Sequence, residues 1–257
     1  MEETMVIKCG GSVLSELSPA FFKSLQEMYD QGKNIVIVHG GGPEIGQMLK
    51  RLNVSSEFVD GLRKTTEEVL EVVEMILAGK VNKQLVSLLQ QHHLPSVGFS
   101  GIDARLLEAA PIDIEKLGYV GNVIRINTSF LTDLLRSRCI PVIAPIGCGR
   151  NGQRYNINAD TAAGAIAQAL QAEQLLFVTD VPGILENGSL VEQATVEKIE
   201  AMINSGVISG GMIPKVKAAM AALSDSLSEV MIVSGKIPFY SKGNIYGTSI
   251  RKEVGVY

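Results

Sequence analysis

The fold of this chain is decided by residues 35–42, which read IVIVHGGG. An unbroken run of β-branched residues is typical of a strand that is buried on both faces, as in a parallel sheet covered by helices. The glycines allow the backbone to approach a ligand closely at the carboxyl end of that strand, where open α/β sheets bind ligands. We therefore expect an α/β fold with a binding loop at residues 40–42, the alternative being a tight turn between strand and helix.

Two further glycine turns lie beside a lysine. Residues 5–11 read MVIKCGG and contain Lys8, and residues 210–215 read GGMIPK and contain Lys215. Free backbone N–H groups and the start of a helix favour an anion, and a lysine adds a full positive charge. Alternatively, Lys8 is a strand-end lysine that extends into solvent and Lys215 is merely exposed. Together, the glycine turns and the lysines predict a binding site for a phosphate group that is transferred from one ligand to another.

Predicted strands and helices alternate along most of the chain. The strands are residues 5–8, 34–38, 96–99, 104–109, 120–126, 140–144, 175–179, 229–233 and 248–251. The helices are residues 19–31, 44–52, 67–91, 128–138, 159–172, 196–204 and 214–227. Apolar strands separated by helices indicate a mainly parallel sheet covered on two faces, with residues 104–126 as a small antiparallel layer. Thr65 and Glu68 are typical of a capping box that starts the third helix, and Gly79 is a candidate kink within it.

The composition limits the class of protein. The chain has 257 residues, of which 46% are hydrophobic, and a net charge of −4. This length allows one domain with lobes at residues 1–172 and 173–257, joined near residues 171–174. No apolar run approaches the ~20 residues of a membrane-spanning helix, and the acidic balance argues against a nucleic-acid surface. The acidic start is not typical of a signal peptide, and three cysteines fit a reducing compartment. We therefore expect a cytoplasmic protein. We expect neither membrane nor nucleic-acid partners.

Polar residues at three further places are candidates for ligand contacts. Arg63 is able to clamp a carboxylate through two parallel hydrogen bonds, unless it is a solvated loop charge. Asn158 and Asp160 are both candidate N-caps, and Asp160 is also a candidate partner for the lysines. Residues 179–185 read TDVPGIL and suit ribose and adenine contacts, although their composition is equally that of a tight turn.

In their order and spacing, these motifs resemble those of the amino-acid kinase family over nearly the whole chain. The resembling stretches are residues 7–11, 38–42, 60–63, 155–160, 179–185 and 210–215. The resemblance implies a three-layer αβα sandwich with an open, mainly parallel central sheet. It also implies an enzyme that uses ATP and Mg²⁺ to phosphorylate the γ-carboxylate of N-acetyl-L-glutamate in arginine biosynthesis.

The resemblance also assigns roles to residues. Lys8 and Lys215 would contact the transferred phosphoryl group, and Asp160 would hold both lysines in place. The expected acceptor-binding residues are Gly41, Gly42, Arg63 and Asn156. The expected ATP-binding residues are Gly10, Gly11, Thr179, Asp180, Val181, Gly183, Ile184, Leu185, Gly210 and Met212. Mg²⁺ would be held mainly by ATP, without a protein side chain as ligand.

The implied chemistry fits these residue types. A γ-carboxylate has a pKa near ~4.3 and is already ionised at neutral pH, so no general base is needed to make it a nucleophile. Two mutually repelling anions must be brought together, and negative charge on the transferred group must be stabilised. Lysines, glycine N–H groups and Mg²⁺ meet these needs, and a catalytic histidine is not required.

The start of the chain departs from arginine-inhibited members of the family, which carry a long N-terminal helix that links dimers into a ring. Only residues 1–4 precede the first predicted strand. We therefore expect a homodimer that arginine does not inhibit, with the helix at residues 67–91 near its interface. Two alternatives remain: an acyl-phosphate kinase acting on another carboxylate, such as carrier-bound aminoadipate, and a nucleotide or amino-acid sensor without catalysis. The presence of both Lys8 and Lys215 argues against the sensor.

Overall fold

The computed structural model describes residues 3–252 of the chain. The predicted lobes also include residues 1–2 and 253–257, which lie outside the described residues. The helices are α1 Pro19–Asp30, α2 Gly42–Arg51, α3 Glu67–Glu74, α4 Asn82–Gln91, α5 Ile114–Leu117, α6 Thr128–Arg136, α7 Ala159–Ala169, α8 Val196–Asn204 and α9 Met212–Ala222. Shorter helical turns are the 3₁₀ turns Gly11–Glu16 and Asp103–Arg105 and the π turn Met75–Val81.

Most strands lie close to their predicted positions. They are β1 Thr4–Cys9, β2 Asn34–His39, β3 Phe58–Val59, β4 Leu62–Arg63, β5 Ser96–Ser100, β6 Leu107–Pro111, β7 Val120–Ile126, β8 Ile140–Ala144, β9 Ile146–Cys148, β10 Arg154–Ile157, β11 Gln174–Thr179, β12 Leu185–Glu186, β13 Ser189–Leu190, β14 Gln193–Thr195, β15 Glu229–Ser234, β16 Tyr240–Ser241, β17 Asn244–Ile245 and β18 Thr248–Arg251. None of the described helices is both long and apolar enough to cross a bilayer.

The central sheet has eight strands in the order β14-β18-β15-β11-β1-β2-β8-β5. Every neighbouring pair is parallel except β15 and β18. The prediction of an open, mainly parallel sheet is therefore confirmed. Strands from both predicted lobes share this sheet, because β1 pairs with β2 on one side and with β11 on the other.

The unbroken apolar strands supply two hydrophobic layers at once. In β2, Val36 and Val38 face a cluster built from helices α6 to α9. Ile35 and Ile37 face the opposite cluster, which contains residues of α1 and α4. Because successive side chains of a strand point to opposite faces, a strand that is covered on both sides is apolar without interruption along its middle, as residues 35–38 are. This arrangement is the expected three-layer αβα sandwich.

A small barrel lies beside the main sheet and is formed by β10, β7, β6 and β9. Strands β6 and β7 pair in antiparallel fashion, as predicted for the small layer. The hairpin of β9 and β10 was not predicted, because its strands have only three and four residues. The barrel carries Asn156 on β10, and this places the side chain near the carboxyl edge of the main sheet.

A continuous helical stretch from Glu67 to Gln91 is present, as predicted, but its cap differs. The N-cap is Thr66, whose hydroxyl accepts a hydrogen bond from the Val69 N–H at 3.3 Å. Thr65 is wrong as the cap because it is fully buried and its hydroxyl donates to the Arg63 carbonyl at 2.8 Å. In place of a simple kink, Gly79 lies within the π turn Met75–Val81.

The register of the sheet determines where the glycine turns meet. Cys9 at the end of β1 lies opposite His39 of β2 and Val178 of β11. All three strands run in the same direction, so the turns that follow them lie side by side at one edge of the sheet. The candidate site is built at this edge.

Candidate active site

The first two glycine turns are in direct contact. The Gly40 N–H donates to the Cys9 carbonyl at 2.9 Å. A Cβ added at Gly11 would lie 2.8 Å from the Gly41 nitrogen and 2.9 Å from the Gly42 nitrogen. Real Cβ atoms do not approach backbone this closely, so glycine at position 11 is required for the turns to meet. The contact joins the predicted phosphate loop to the predicted acceptor loop.

An ion pair lies beside this contact. Lys8 Nζ is 2.6 Å from Asp160 Oδ1, and the two side chains are 15% and 28% exposed. Asp160 lies in the first turn of α7, whose N-cap is Asn158: the Asn158 Oδ1 accepts from the N–H groups of Asp160 at 2.8 Å and of Thr161 at 3.1 Å. The N-cap alternative is therefore confirmed for Asn158, and Asp160 is left to neutralise Lys8.

Arg63 and Asn156 lie on the acceptor side of the same region. The Arg63 guanidinium donates to the Gly42 carbonyl at 3.1 Å and stacks on Phe58, 4.5 Å from the ring centroid. The Asn156 amide donates to the Thr65 hydroxyl at 3.1 Å. These contacts hold both polar groups in a fixed orientation without using all of their donors.

A cavity of about 220 Å³ unites these groups. The predicted catalytic and acceptor-binding residues that line it are Lys8, Gly41, Gly42, Arg63, Asn156 and Asp160. An ammonium, a guanidinium and an amide in the lining of one cavity suit a small ligand that carries carboxylates. The structure thus brings together all four predicted acceptor residues, Lys8 and Asp160.

Lys215 lies in the first turn of α9 and pairs with a different carboxylate. Its Nζ is 2.8 Å from Asp180 Oδ1, and this hydrogen bond holds the pKa of Asp180 below its ordinary value. Asp160 pairs with Lys8 and, within residues 3–252, forms no ion pair with Lys215, so the expected double contact is not formed. The reason is that Asp180, at the end of β11, reaches the first turn of α9.

A second cavity of about 560 Å³ continues from the first. It shares Gly61, Leu62, Asn158 and Asp160 with the first cavity, and it reaches Pro214 and Lys217 of α9. The space therefore extends from Asp160, the partner of Lys8, to the helix that carries Lys215. Gly210, with a φ of +55°, and Gly211 precede this helix, and neither has an atom within 4 Å of an added Cβ.

The turn after β11 uses several of its polar groups internally. The Thr179 hydroxyl is buried and accepts from the Val181 N–H at 3.0 Å. The Ile184 N–H donates to the buried Thr248 hydroxyl at 2.8 Å. Asp180 and Leu185 are exposed. Nucleotide contacts by this turn stay a prediction, and the exposed residues are the ones available for it.

Sequence reasoning missed one charged residue at this edge. Lys236 follows β15 directly after Gly235, and its Nζ lies 2.6 Å from Glu16 Oε2. Its charge also lowers the pKa of Asp180, after the larger contribution of Lys215. The sequence contains a pattern that could have identified Lys236: Gly235 and Lys236 repeat the combination of glycine and lysine at the end of a buried strand.

His39 lies behind the acceptor loop and is fully buried. Burial, with a smaller contribution from the nearby Lys83 charge, lowers its pKa from the ordinary 6.5 to about 4. The folded pKa is below the unfolded pKa, so the unfolded chain binds more protons between these values. The histidine therefore costs stability as the pH falls from 6.5 to about 4.

We expect this cost to be measurable by comparison with His39→Leu. Relative to the variant, wild type should lose on the order of 3 kcal/mol of its free energy of unfolding between neutral pH and about pH 4. Urea unfolding at several pH values measures it. A difference that stays constant over this range would mean that His39 keeps an ordinary pKa in the folded protein.

Comparison with known proteins identifies the family. The profile of the Amino acid kinase family matches residues 3–234. Acetylglutamate kinase from Geobacillus sp. (strain WCH70) is 74% identical over 257 residues, which cover 100% of both chains. Acetylglutamate kinase from Bacillus licheniformis is 49% identical, and the match covers 98% of both chains.

Solved structures show the same architecture. The smu.665 protein from Streptococcus mutans UA159 has a TM-score of 0.85 and 33% identity, covering 98% of this chain and 99% of that one. Carbamate kinase from Giardia lamblia bound to AMP-PNP has a TM-score of 0.65 at 15% identity, covering 98% and 99%, and is alike in fold alone. The profile, the full-length relatives and the shared fold agree, and the chain belongs to the amino acid kinase family.

Proposed function

We propose that this chain transfers the γ-phosphoryl group of ATP to the γ-carboxylate of N-acetyl-L-glutamate, giving N-acetyl-L-glutamyl 5-phosphate and ADP in arginine biosynthesis. Full-length relatives at 49% and 74% identity that carry the name acetylglutamate kinase support the substrate. The observation that carries the proposal is the cavity lined by Lys8, Asp160, Arg63 and Asn156.

The acceptor is held by its own charges. The Arg63 guanidinium and the Asn156 amide bind the α-carboxylate and neighbouring polar atoms, and the backbone of Gly41 and Gly42 closes the site. The γ-carboxylate then points towards Lys8. It is ionised at neutral pH and attacks phosphorus directly, so the enzyme contributes by positioning and by charge rather than by proton transfer.

The phosphoryl group is stabilised from both sides. Gly10 and Gly11 offer backbone N–H groups to the ATP phosphates, and Lys8 contacts the transferred group. Lys215 leaves Asp180 and contacts the same group when the lobes at residues 1–172 and 173–257 close about residues 171–174. Charge that develops on the equatorial oxygens is thereby matched by two ammonium groups.

Mg²⁺ fits this site as a companion of ATP. The part of the chain that the structure describes has no group of three or more His, Cys, Asp or Glu side chains able to hold a metal ion. Two carboxylates at this edge of the sheet, Asp160 and Asp180, are each paired with a lysine. ATP would hold Mg²⁺, and the ion would supply further positive charge against the phosphates.

A direct assay tests the proposed reaction. Purified protein is incubated with MgATP and N-acetyl-L-glutamate, ADP release is followed by a coupled assay, and hydroxylamine traps the acyl phosphate as a hydroxamate. We expect ADP and hydroxamate in equal amounts and much slower turnover with glutamate, N-acetylaspartate or aminoadipate. ADP release without hydroxamate, or faster turnover of another carboxylate, would reject the assignment.

Arg63→Lys tests the acceptor contact. A lysine keeps the charge but loses the planar pair of donors and the stacking on Phe58. We expect the KM for N-acetyl-L-glutamate to rise roughly 10- to 100-fold, as for the loss of hydrogen bonds to a charged group, while the KM for ATP stays near that of wild type. The matched control is Arg136→Lys on α6, where the arginine is 77% exposed. Equal KM values for both Arg63→Lys and the control would contradict the contact.

We also propose that the protein is a homodimer in the cytoplasm. β5 forms an edge of the sheet, Met75 is 57% exposed on the adjoining helix, and a cavity of about 410 Å³ lies against Val81 and Leu88. An open sheet edge and exposed apolar residues favour association. The three cysteines are free thiols, as is usual in a reducing compartment. Light scattering that gives a monomer or a hexamer would reject the dimer.

A further inference from the structure

His39 lies at the end of β2, directly before the acceptor loop, yet it does not line the cavity. It is 0% exposed, and so is its neighbour Asn82. His39 Nδ1 is 2.9 Å from the Gly40 carbonyl, and Nε2 is 3.1 Å from Asn82 Nδ2. A neutral imidazole without access to the cavity has no role as an acid or base in the reaction, so its role must be exerted through the loop.

The hydrogen bonds of Asn82 determine the tautomer of His39. Asn82 Nδ2 donates to the Val142 carbonyl at 2.9 Å, and its Oδ1 accepts from Lys83 Nζ at 3.1 Å. A carbonyl only accepts, so the amide nitrogen must face Val142, and it therefore also donates to His39 Nε2. Nδ1 then carries the proton and donates to the Gly40 carbonyl. The lowered pKa of His39 agrees with this neutral form.

The π turn that precedes Asn82 supports the acceptor loop at a second point. A Cβ added at Gly41 would lie 2.6 Å from Leu77 Cδ2 and 3.3 Å from Val81 Cγ2. Leu77 and Val81 belong to the π turn Met75–Val81, and Asn82 follows it directly. The wider turn presents the apolar side chains to Gly41 and the amide to His39. The backbone of the acceptor loop is thus fixed by packing on one side and by hydrogen bonds on the other.

The adjoining strand makes room for the amide. A Cβ added at Gly98 of β5 would lie 1.9 Å from Asn82 Oδ1, so only glycine is compatible with Asn82 at this place. Two fully buried polar side chains are costly unless every group is paired, and an apolar pair would avoid that cost. Hydrogen bonds give direction, which apolar packing does not. The use of hydrogen bonds in place of apolar packing therefore indicates that His39 and Asn82 set the orientation of the loop.

We propose that His39 and Asn82 are positioning residues that hold the Gly40 carbonyl, and with it residues 40–42, in the orientation that binds the acceptor. The chain of contacts runs from α4 through Asn82 and His39 to Gly40. The identity of the acceptor in this proposal rests on the proposed function. The effect of the two residues on the loop does not depend on it.

Three variants test the proposal. His39→Leu removes both contacts, Asn82→Leu removes the donor to Nε2, and His39→Asn keeps a donor near the position of Nδ1. For both leucine variants we expect the KM for N-acetyl-L-glutamate to rise roughly tenfold, the effect of about one lost hydrogen bond, with less than a twofold change in the KM for ATP. In His39→Asn, the KM for N-acetyl-L-glutamate should stay close to the wild-type value.

The matched control is Ser24→Ala. Ser24 is also buried, and its hydroxyl accepts from the N–H groups of Phe239 and Tyr240, far from the acceptor loop. It should lower stability without separating the two KM values. Parallel increases in both KM values for the leucine variants, or the same separation in Ser24→Ala, would overturn the positioning role.

Hydrogen–deuterium exchange separates this proposal from the proposed function. In His39→Leu, amide exchange at residues 40–42 should increase at least severalfold, whereas exchange at residues 10–11 stays unchanged. That result supports the positioning role even if wild type fails to phosphorylate N-acetyl-L-glutamate. Unchanged exchange at residues 40–42 would reject the role even if the activity assay succeeds.

Discussion

Lys8→Ala should lower kcat by roughly 10²- to 10³-fold, the usual effect of removing one group that stabilises transition-state charge, while the Kd for ATP changes by less than about threefold. The Lys8 ammonium lies in the cavity within 2.6 Å of Asp160 and beside the glycine turn at the end of β1. Charge on the transferred group is greatest on its equatorial oxygens during transfer, so this ammonium acts mainly in the transition state. Steady-state kinetics and calorimetric titration of ATP measure the two effects separately.

The control for this prediction is Lys33→Ala. Lys33 has a side chain of similar burial, 21% exposed, and pairs with Glu3 at the opposite end of the sheet. Lys8→Ala also leaves the Asp160 charge without its partner, so Asp160→Asn is combined with it. We expect the double variant to be as slow as Lys8→Ala. Recovery in the double variant, or equal losses in kcat and ATP affinity, would contradict a transition-state role for Lys8.

The fold was predictable because its strongest signals are local. Residues 34–39 form β2 within one residue of the prediction, since the strand is covered on both faces and its middle, residues 35–38, is an unbroken apolar run. The long helix from Glu67 was predictable because its apolar periodicity extends over many turns. Two-residue strands such as β3 and β12 were missed, because so short a segment carries no periodicity.

The candidate site was predictable to a smaller extent. Lys8, Gly41 and Gly42 were predictable as a cluster because they lie at or after the carboxyl ends of β1 and β2, which meet at one edge of the sheet. Arg63 and Asn156 lie on β4 and β10, outside that sheet, and only the family resemblance assigned them to this site. Lys215 pairs with Asp180 in this structure, and no local pattern indicated which nearby carboxylate its long side chain would reach. Its contact with Asp160 stays a prediction. The contact of His39 with Asn82 joins residues 43 positions apart, and no local pattern predicts such a pair.

Gly11→Ala is expected to abolish activity almost completely. The added Cβ would lie 2.8 Å from the Gly41 nitrogen and 2.9 Å from its Cα, so either the phosphate loop or the acceptor loop must move. A displacement of about 1 Å between two reacting groups costs roughly 10²-fold in rate, and overpacking costs about 1–3 kcal/mol in stability. Turnover with saturating substrates and urea unfolding measure both effects.

The matched control is Gly79→Ala, where an added Cβ has no atom within 4 Å. Gly79 lies in a helical stretch, so alanine there should raise stability by about 0.5–1 kcal/mol and leave turnover unchanged. The comparison separates close approach of two backbones from the general flexibility of glycine. If Gly11→Ala retained near wild-type kcat, the two loops would not need to touch, and the distance between acceptor and phosphate would have to be set elsewhere in the cavity.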